Sequence, residues 1–479
     1  MNQSLSHKAA TGAIWATIDK LGYMAIQFVV NLVLARILLP EDFGIIGMLT
    51  IFIVVSQTLI DGGFASALIQ KKSPTEIDYS TIFYWNLVFS IVLYLILYIS
   101  APWIASFYKM PLLSQVLRVI ALTLPITGIQ SVQRTRLQKS LAFKILAIVN
   151  ISAYVVGSTI GIRLAYNEYG VWSLVWIQII YGIIAVNIMW ILTRWVPKWK
   201  FSKHSLHALF GFGGYMMAAN ILQTVAQNLQ GIIIGKRFAA VQMGYFSQAY
   251  KLDTVFSKSI PQVLVQVMYP IYAVLQDDRK KLNEAVCKNL GIISFVIYPI
   301  LGSLILLAET LVNLLYGEKW LPCAPYFQVL CVGGLFICLQ NLNFYAVAAV
   351  GKSKSLFRWS FFKWGFLLFA LIGGAYIGIY GILWGMVISD INIFLVNAFL
   401  VSKHTGLSIM NQLKHVSPTF VIFTVAIAIA MVVCGRILNI NSIIQTLVFL
   451  CIYVGGSVVG RIKAYRDTLD LLLNLNKHF

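Results

Sequence analysis

The chain has 479 residues, 59 % of them hydrophobic and 11 % charged, with a formal charge of +20 at pH 7 and a mean hydropathy of +0.82. A soluble globular protein cannot cover its surface from that composition, so the chain is read as a polytopic membrane protein. Its positive charge lies mostly in short segments between apolar runs, where anionic lipid head groups account for it and nucleic acid is not needed.

A helix needs about 20 apolar residues to cross a bilayer. Fourteen stretches qualify, near 12–37, 42–69, 79–107, 112–133, 145–166, 170–193, 207–235, 242–270, 285–315, 320–349, 359–379, 381–402, 417–435 and 441–460. The expected fold class is all-α, with about 14 transmembrane helices arranged as two parallel six-helix bundles around a central cavity, plus a terminal helix pair. With the N-terminus inside, only Arg36, Lys109, Arg163, Lys236, Arg237, Lys319 and Arg436 fall in outer segments. The inner segments hold clusters such as Arg134, Arg136, Lys139 and Lys144, or Lys352, Lys354, Arg358 and Lys363. That asymmetry places both termini in the cytoplasm. The first apolar run is too long for a cleavable leader, carries Asp19 and Lys20, and lacks a small-residue cleavage pattern.

Along the first span, Lys20, Tyr23, Gln27 and Asn31 fall on one helical face. Such a stripe belongs against a partner helix or a wet cavity, because unpaired amides and ammonium groups are costly in hydrocarbon. Leu39-Pro40-Glu41-Asp42 then forms a short turn before Gly44. In the second span Asp61 precedes Gly62 and Gly63. Either it faces the bundle interior while the glycines admit a neighbouring backbone, or it is a hydrated acid at the interface. Tyr79, Phe83, Tyr84 and Trp85, and again Trp103, Phe107 and Tyr108, read as interfacial belts. Arg134, Arg136 and Lys139 form a basic cluster at the inner end of the fourth span.

Residues 194–207 read as a linker on the inner surface, and beyond it the pattern repeats. An offset of 200 residues lays Tyr23 on Gln223, Gln27 on Gln227, Arg36 on Lys236 and Gly44 on Gly244, and Asn220, Gln223, Gln227 and Gly231 form a second polar stripe. Six spans are an even number, so the two copies point the same way. The expected organisation is 1–194 as the first bundle, 195–206 as linker, 207–402 as the second bundle, 403–461 as an extra helix pair and 462–479 as an amphipathic cytoplasmic tail.

In the eighth span Lys251, Thr254, Lys258, Gln262 and Tyr269 lie along one helical line, with Asp253 projecting elsewhere. Each lysine costs about 2.5–3.5 kcal/mol at a membrane centre. Either Asp253 or Asp61 neutralises one of them, or they face water and an anionic ligand. Glu309 and Asp390 are open as proton or sodium sites or as interfacial acids. The six cysteines show no metal-ligand spacing, no phosphate-loop, zinc-protease or nucleophile-elbow motif occurs, and no histidine lies deep in a span. The outer loops are too short for a folded catalytic domain. The chain is therefore expected not to be an enzyme and to need no cofactor, with coupling to H+ or Na+ left open.

Leu34-Ala35-Arg36-Ile37-Leu38-Leu39-Pro40-Glu41-Asp42-Phe43-Gly44, followed by Asp61-Gly62-Gly63-Phe64-Ala65 and Ala67-Leu68-Ile69-Gln70, resembles the N-terminal signature of the Wzx-type polysaccharide flippases of the multidrug/oligosaccharidyl-lipid/polysaccharide exporter superfamily. The likeness is nearest to the lipopolysaccharide, colanic acid and teichuronic acid branch and extends more loosely over the whole chain. It implies a bacterial inner-membrane protein that moves an undecaprenyl-diphosphate-linked oligosaccharide outward through a cavity lined by spans one, two, seven and eight. It also implies membrane lipids as partners, with a polysaccharide polymerase and glycosyltransferases as further candidates. Lysines suit a diphosphate as point charges. The expected substrate contacts are thus Lys20, Lys251 and Lys258 for diphosphate or acidic sugars, and Gln27, Asn220, Gln223 and Gln227 for the glycan. Asp19, Asp61 and Asp253 would balance charge or carry a coupling proton, and the residues around Arg36 and Gly44 are expected to be structural. The competing readings are a cation-coupled drug exporter of the same superfamily, disfavoured by the deep lysines, and a non-transporting membrane scaffold for polysaccharide assembly.

Overall fold

The computed structural model describes residues 2–259, 268–438 and 440–475, and these are helices joined by short turns. Twelve of the helical segments are long and apolar enough to cross a membrane. The two expected spans not among them are 207–235, which is helical but carries more polar residues, and 242–270, whose residues 260–267 lie outside the described set. The chain divides into two compact units, Met1–Gly244 and Tyr245–Phe479.

The first unit holds α1 (Asn2–Ile37), α2 (Pro40–Asp61), α3 (Phe64–Gln70), α4 (Glu76–Tyr108), α5 (Leu112–Ile120), α6 (Thr123–Lys139), α7 (Phe143–Tyr166), α8 (Val171–Thr193), α9 (Lys203–Arg237) and the first turn of α10 (Ala240–Asp253). The Leu-Pro-Glu-Asp turn is a helix-start device. Pro40 takes the first helical position, where no N–H is needed, and the Asp42 carboxylate accepts from the Leu39 amide at 3.0 Å. The expected span at 112–133 is divided into α5 and α6. Pro125 has no N–H for the Ala121 carbonyl, so the helix restarts just before it.

The double glycine after Asp61 ends α2 with two successive left-handed residues, the second in tight backbone contact. Gly62 and Gly63 have φ of 54° and 69°, in the left-handed region, and a Cβ on Gly63 would lie 2.2 Å from the Gly213 carbonyl oxygen of α9. The antiparallel contact of α2 with α9 continues through Thr58 and Thr224, whose hydroxyl oxygens are 3.3 Å apart. It reaches Gly235, where a Cβ would come 2.7 Å from Met48 Cγ. The helix that carries the second polar stripe is therefore packed on the second helix of the first copy.

The opposite ends of these helices are fixed by charge. Thr75 and Asp78 form a reciprocal cap at the start of α4, and buried Asp78 also accepts from Lys71 Nζ at 2.7 Å. Arg136 donates to both carboxylate oxygens of Glu76 (2.8 and 2.9 Å), and Trp195 Nε1 donates to the same group at 2.7 Å. The 194–202 segment is pinned further by the Lys198 amide on Ser80 Oγ (2.9 Å) and the Ser202 amide on Thr81 Oγ1 (3.1 Å). Lys139 Nζ donates to the carbonyls of Leu68, Ile69 and Lys71, closing the C-terminus of α3.

The second unit contains the remainder of α10, a π-helical segment Thr254–Ser259, α11 (Arg279–Leu306), α12 (Ala308–Tyr316), a 3-10 turn Glu318–Cys323, α13 (Ala324–Ala349), α14 (Ser353–Ile377), α15 (Ile379–Thr405), α16 (Ile409–Ile429), a π-helical continuation Ala430–Ile437, α17 (Ser442–Val459) and α18 (Lys463–Leu475). The pair α13 and α15 forms its centre, with α14 on α15 and α11 on α13, while α16, α17 and α18 pack on α11. Asp278 caps α11 through the Lys281 amide at 3.1 Å, and hydrogen bonds from that amide and from the Lys281 side chain hold its carboxyl below the ordinary carboxylate range.

One cation sits elsewhere than expected. Lys363, grouped with the inner-loop cations by sequence, is buried. Because α14 begins at Ser353, position 363 is almost three turns inside the helix. There its Nζ donates to Asn397 Oδ1, and Asn397 Nδ2 passes a bond on to the Gln340 carbonyl at 3.0 Å.

Candidate functional site

In the first unit, Lys20 and Gln27 on α1 and Gln223 and Gln227 on α9 are all exposed, while Asn220 is half-buried. Polar side chains left uncovered by protein at mid-helix positions of membrane-length helices need a wet surface, since lipid would leave their donors and acceptors unmet. Beside that stripe on α1, Asp19 is half-buried and accepts from Asn150 Nδ2 of α7 at 2.9 and 3.2 Å. The Asn150 side-chain oxygen in turn accepts from the Tyr181 hydroxyl of α8 at 3.3 Å. Tyr23, Tyr154 and Tyr181 close the group, with ring centroids 5.1 to 5.9 Å apart.

Arg134 is exposed at the rim of this group and acts electrostatically on Asp61, Tyr23 and Tyr181. The basic cluster read from sequence thus separates. Arg136 and Lys139 are committed to Glu76 and to the end of α3, and Arg134 faces the polar group. Among the described residues Lys20 is in none of the ion pairs, which join Lys71 to Asp78, Arg136 to Glu76 and Lys281 to Asp278.

In the second unit, the line expected through Lys251 and Lys258 is broken. Thr254–Ser259 is a π turn, so the 100° step per residue fails there and the helix face rotates. Lys251 is exposed. Lys258 is turned inward, donating to the Tyr250 hydroxyl at 2.8 Å and standing 4.1 Å over its ring. Wider turns also bring positions five apart towards one face, so Asp253, expected to project elsewhere, shares its surroundings with Lys258. Asp253 is buried, accepts from Ser257 Oγ, and is coupled electrostatically to Lys258 and to Asp390 of α15. The Asp390 carboxylate lies against Gly333, where a Cβ would come within 2.9 Å. Glu309 is exposed in the first turn of α12. Gln262 lies outside the described residues.

Sequence reading did not single out Asn150, Tyr154, Tyr181, Tyr250 or Asn397. An asparagine inside an apolar run was the available signal for Asn150 and Asn397, because such an amide needs a partner. Among the described residues no group of His, Cys, Asp and Glu could hold a metal ion.

A multi-pass helical membrane protein with polar and charged groups set into its spans is the class this architecture defines. Its fold matches a solved lipid II flippase, MurJ in an inward closed conformation, with a TM-score of 0.71 over 95 % of this chain and 100 % of that one, at 15 % identity. A family model described as polysaccharide biosynthesis protein matches residues 33–325, and the chain belongs to that family. Among its relatives, the teichuronic acid biosynthesis protein TuaB of Bacillus subtilis is 26 % identical over 88 % of this chain and 87 % of its own length. The lipopolysaccharide biosynthesis protein WzxC of Escherichia coli is 25 % identical over 84 % and 82 %. The resemblance carried by residues 34–70 is upheld by these matches.

Proposed function

We propose that the protein is a flippase that carries an undecaprenyl-diphosphate-linked oligosaccharide from the cytoplasmic to the outer leaflet of a bacterial inner membrane, with both termini cytoplasmic. The observation that carries this reading is the set of exposed polar groups on membrane-length helices, Lys20, Gln27, Gln223 and Gln227, in a chain of a polysaccharide biosynthesis family. Ammonium groups suit a diphosphate and amides suit sugar hydroxyls. Lys20, Lys251 and Lys258 are assigned to the diphosphate or acidic sugars, and Gln27, Asn220, Gln223 and Gln227 to the glycan. Asp19, Asp61 and Asp253 are assigned to charge balance or proton coupling, with Asp19 oriented by Asn150 and Asp253 by Ser257.

Transport proceeds by alternating access, the site opening to one leaflet and then the other. Without a nucleotide-binding motif in the sequence, the drive comes from an ion gradient or from the substrate's own gradient. The domain organisation read from sequence, 1–194 and 207–402 as parallel six-helix bundles with 403–461 as an added pair, belongs to this proposal.

The test is reconstitution in vesicles with a fluorescent undecaprenyl-diphosphate oligosaccharide loaded on one leaflet. Time-dependent loss of protection from a membrane-impermeant quencher is the expected result. Undiminished protection, alongside uptake of a cationic dye, would favour a drug exporter instead, and inertness to both would favour a scaffold.

A further inference from the structure

At the end of the second unit where the sequence places inner-loop cations, the turn between α13 and α14 and the C-terminus of α15 border an open pocket of about 610 Å³. Its lining includes Lys352, Lys354, Arg358 and Lys403 and has no acidic residue. Each of these four side chains is exposed, and none is in an ion pair with a described carboxylate. His404 and Ser355 complete the floor, with Nε2 and Oγ 3.0 Å apart. Four cations lining one pocket, with no carboxylate paired to them among the described residues, make it attractive to an anion.

What lies beyond the cavity says which kind of anion. Trp359 forms its wall and is in ring contact with Phe362 at 5.7 Å and Phe399 at 5.4 Å. Phe362 is 51 % exposed and Phe399 41 %, and both point out from the helices deeper along the span. A ligand that fills the cationic cavity and continues over those rings has a phosphate at one end and hydrocarbon at the other.

We infer that this cavity is a binding site for the phosphate head group of an anionic phospholipid, with its acyl chains lying over Phe362 and Phe399. Cationic pockets between helices at a membrane face hold such head groups. The site is separate from the groups assigned to substrate, and its binding can be read without any transport measurement.

The test uses the full-length purified protein in detergent, titrated with dioleoyl-phosphatidylglycerol and, separately, with dioleoyl-phosphatidylcholine, inorganic phosphate and undecaprenyl diphosphate. Binding is followed by native mass spectrometry. Phosphatidylglycerol is expected to bind tightly and the zwitterionic lipid with the same chains at least tenfold more weakly. Each cation removed is expected to weaken binding about fivefold, so Lys354→Gln/Arg358→Gln/Lys403→Gln reduces it by about a hundredfold. Lys403→Gln alone gives the smaller step should the triple variant fail to fold. Lys280→Gln/Lys281→Gln, which removes two cations from the start of α11, is expected to change nothing. Phe362→Ala/Phe399→Ala is expected to weaken lipid but not inorganic phosphate. Equal phosphatidylglycerol binding by wild type and the Lys403→Gln and triple variants overturns the inference. So does tight binding of inorganic phosphate, which would mark a free-anion site, or a marked preference for undecaprenyl diphosphate, which would make the cavity a substrate subsite.

Discussion

Gly44 and Gly244, 200 positions apart in the chain, stand at the same place in the two copies of the repeat and meet backbone to backbone. A Cβ on Gly44 would lie 3.1 Å from the Gly244 nitrogen and 1.8 Å from the Ala240 carbonyl oxygen, and one on Gly244 would lie 1.9 Å from the Pro40 carbonyl oxygen. Because backbone atoms cannot swing aside as a side chain can, Gly44→Val or Gly244→Val must push the starts of α2 and α10 apart. The expected cost is about 1–3 kcal/mol, read as a lowered unfolding temperature. Export is expected to fall even at temperatures where the protein remains folded. A fully active and unshifted Gly44→Val variant would contradict this packing.

The same helix pair offers a direct check at its middle. The hydroxyl oxygens of Thr58 and Thr224 are 3.3 Å apart, close enough for a disulfide after small side-chain rotation. Thr58→Cys/Thr224→Cys is expected to cross-link under mild oxidant, seen as a mobility shift on a denaturing gel after cleavage at an engineered site between them. If α2 and α9 separate during transport, the cross-link stops flipping and reductant restores it.

The membrane class, the helices and the turn glycines were legible because each has a local signature: a long apolar run, a proline at a helix start, a glycine pair where φ must be positive. What the sequence hid was geometry that depends on a partner. Lys363 looked like a loop cation because hydropathy cannot see Asn397. Asp253 looked turned away from Lys258 because a period of 3.6 was assumed across a π segment. Of the candidate site, the exposed amides of α1 and α9 could be read from spacing alone. The tyrosine group could not, because Tyr23, Tyr154 and Tyr181 come from three helices.

Asn150 connects Asp19 to Tyr181, so its removal strips a carboxylate of its donor in a half-buried setting. Asn150→Ala is expected to destabilise by about 1.5–3 kcal/mol, the range for a hydrogen bond to a charged group. Replacing both partners, as in Asp19→Ala/Asn150→Ala, should recover part of that loss. Thermal unfolding of the two single variants and the double variant gives the coupling, and strict additivity would mean that the bond contributes nothing.

The segment between the sixth and seventh spans is anchored at its start by one carboxylate, with the Ser80 and Thr81 hydroxyls holding it further along. Glu76 takes both Arg136 and the Trp195 indole, while Arg136 also lies over the Tyr79 and Trp195 rings at 4.6 and 5.1 Å. Glu76→Ala is expected to release residues 195–202 without unfolding the helices. Trypsin should then cut after Lys198 or Lys200 several times faster than in wild type, and an unchanged rate would show that the clamp is not what restrains the segment.

Lys258 separates a structural from a transport role. Its Nζ is shared with Tyr250 and it stands in the field of Asp253 and Asp390. Lys258→Met therefore removes the cation that offsets two acids, one of them buried. Breaking a buried charge arrangement from one side costs about 3 kcal/mol, and the unfolding temperature should fall accordingly. Adding Asp253→Asn removes one of the stranded charges, so Lys258→Met/Asp253→Asn is expected to regain most of the lost stability. Flipping by that double variant is then the deciding measurement. Near-normal flipping would confine Lys258 to charge balance and end its assignment to the diphosphate. Loss of flipping in a protein of restored stability, with flipping regained by Lys258→Arg alone, is the outcome expected if the ammonium also meets the substrate's negative charge.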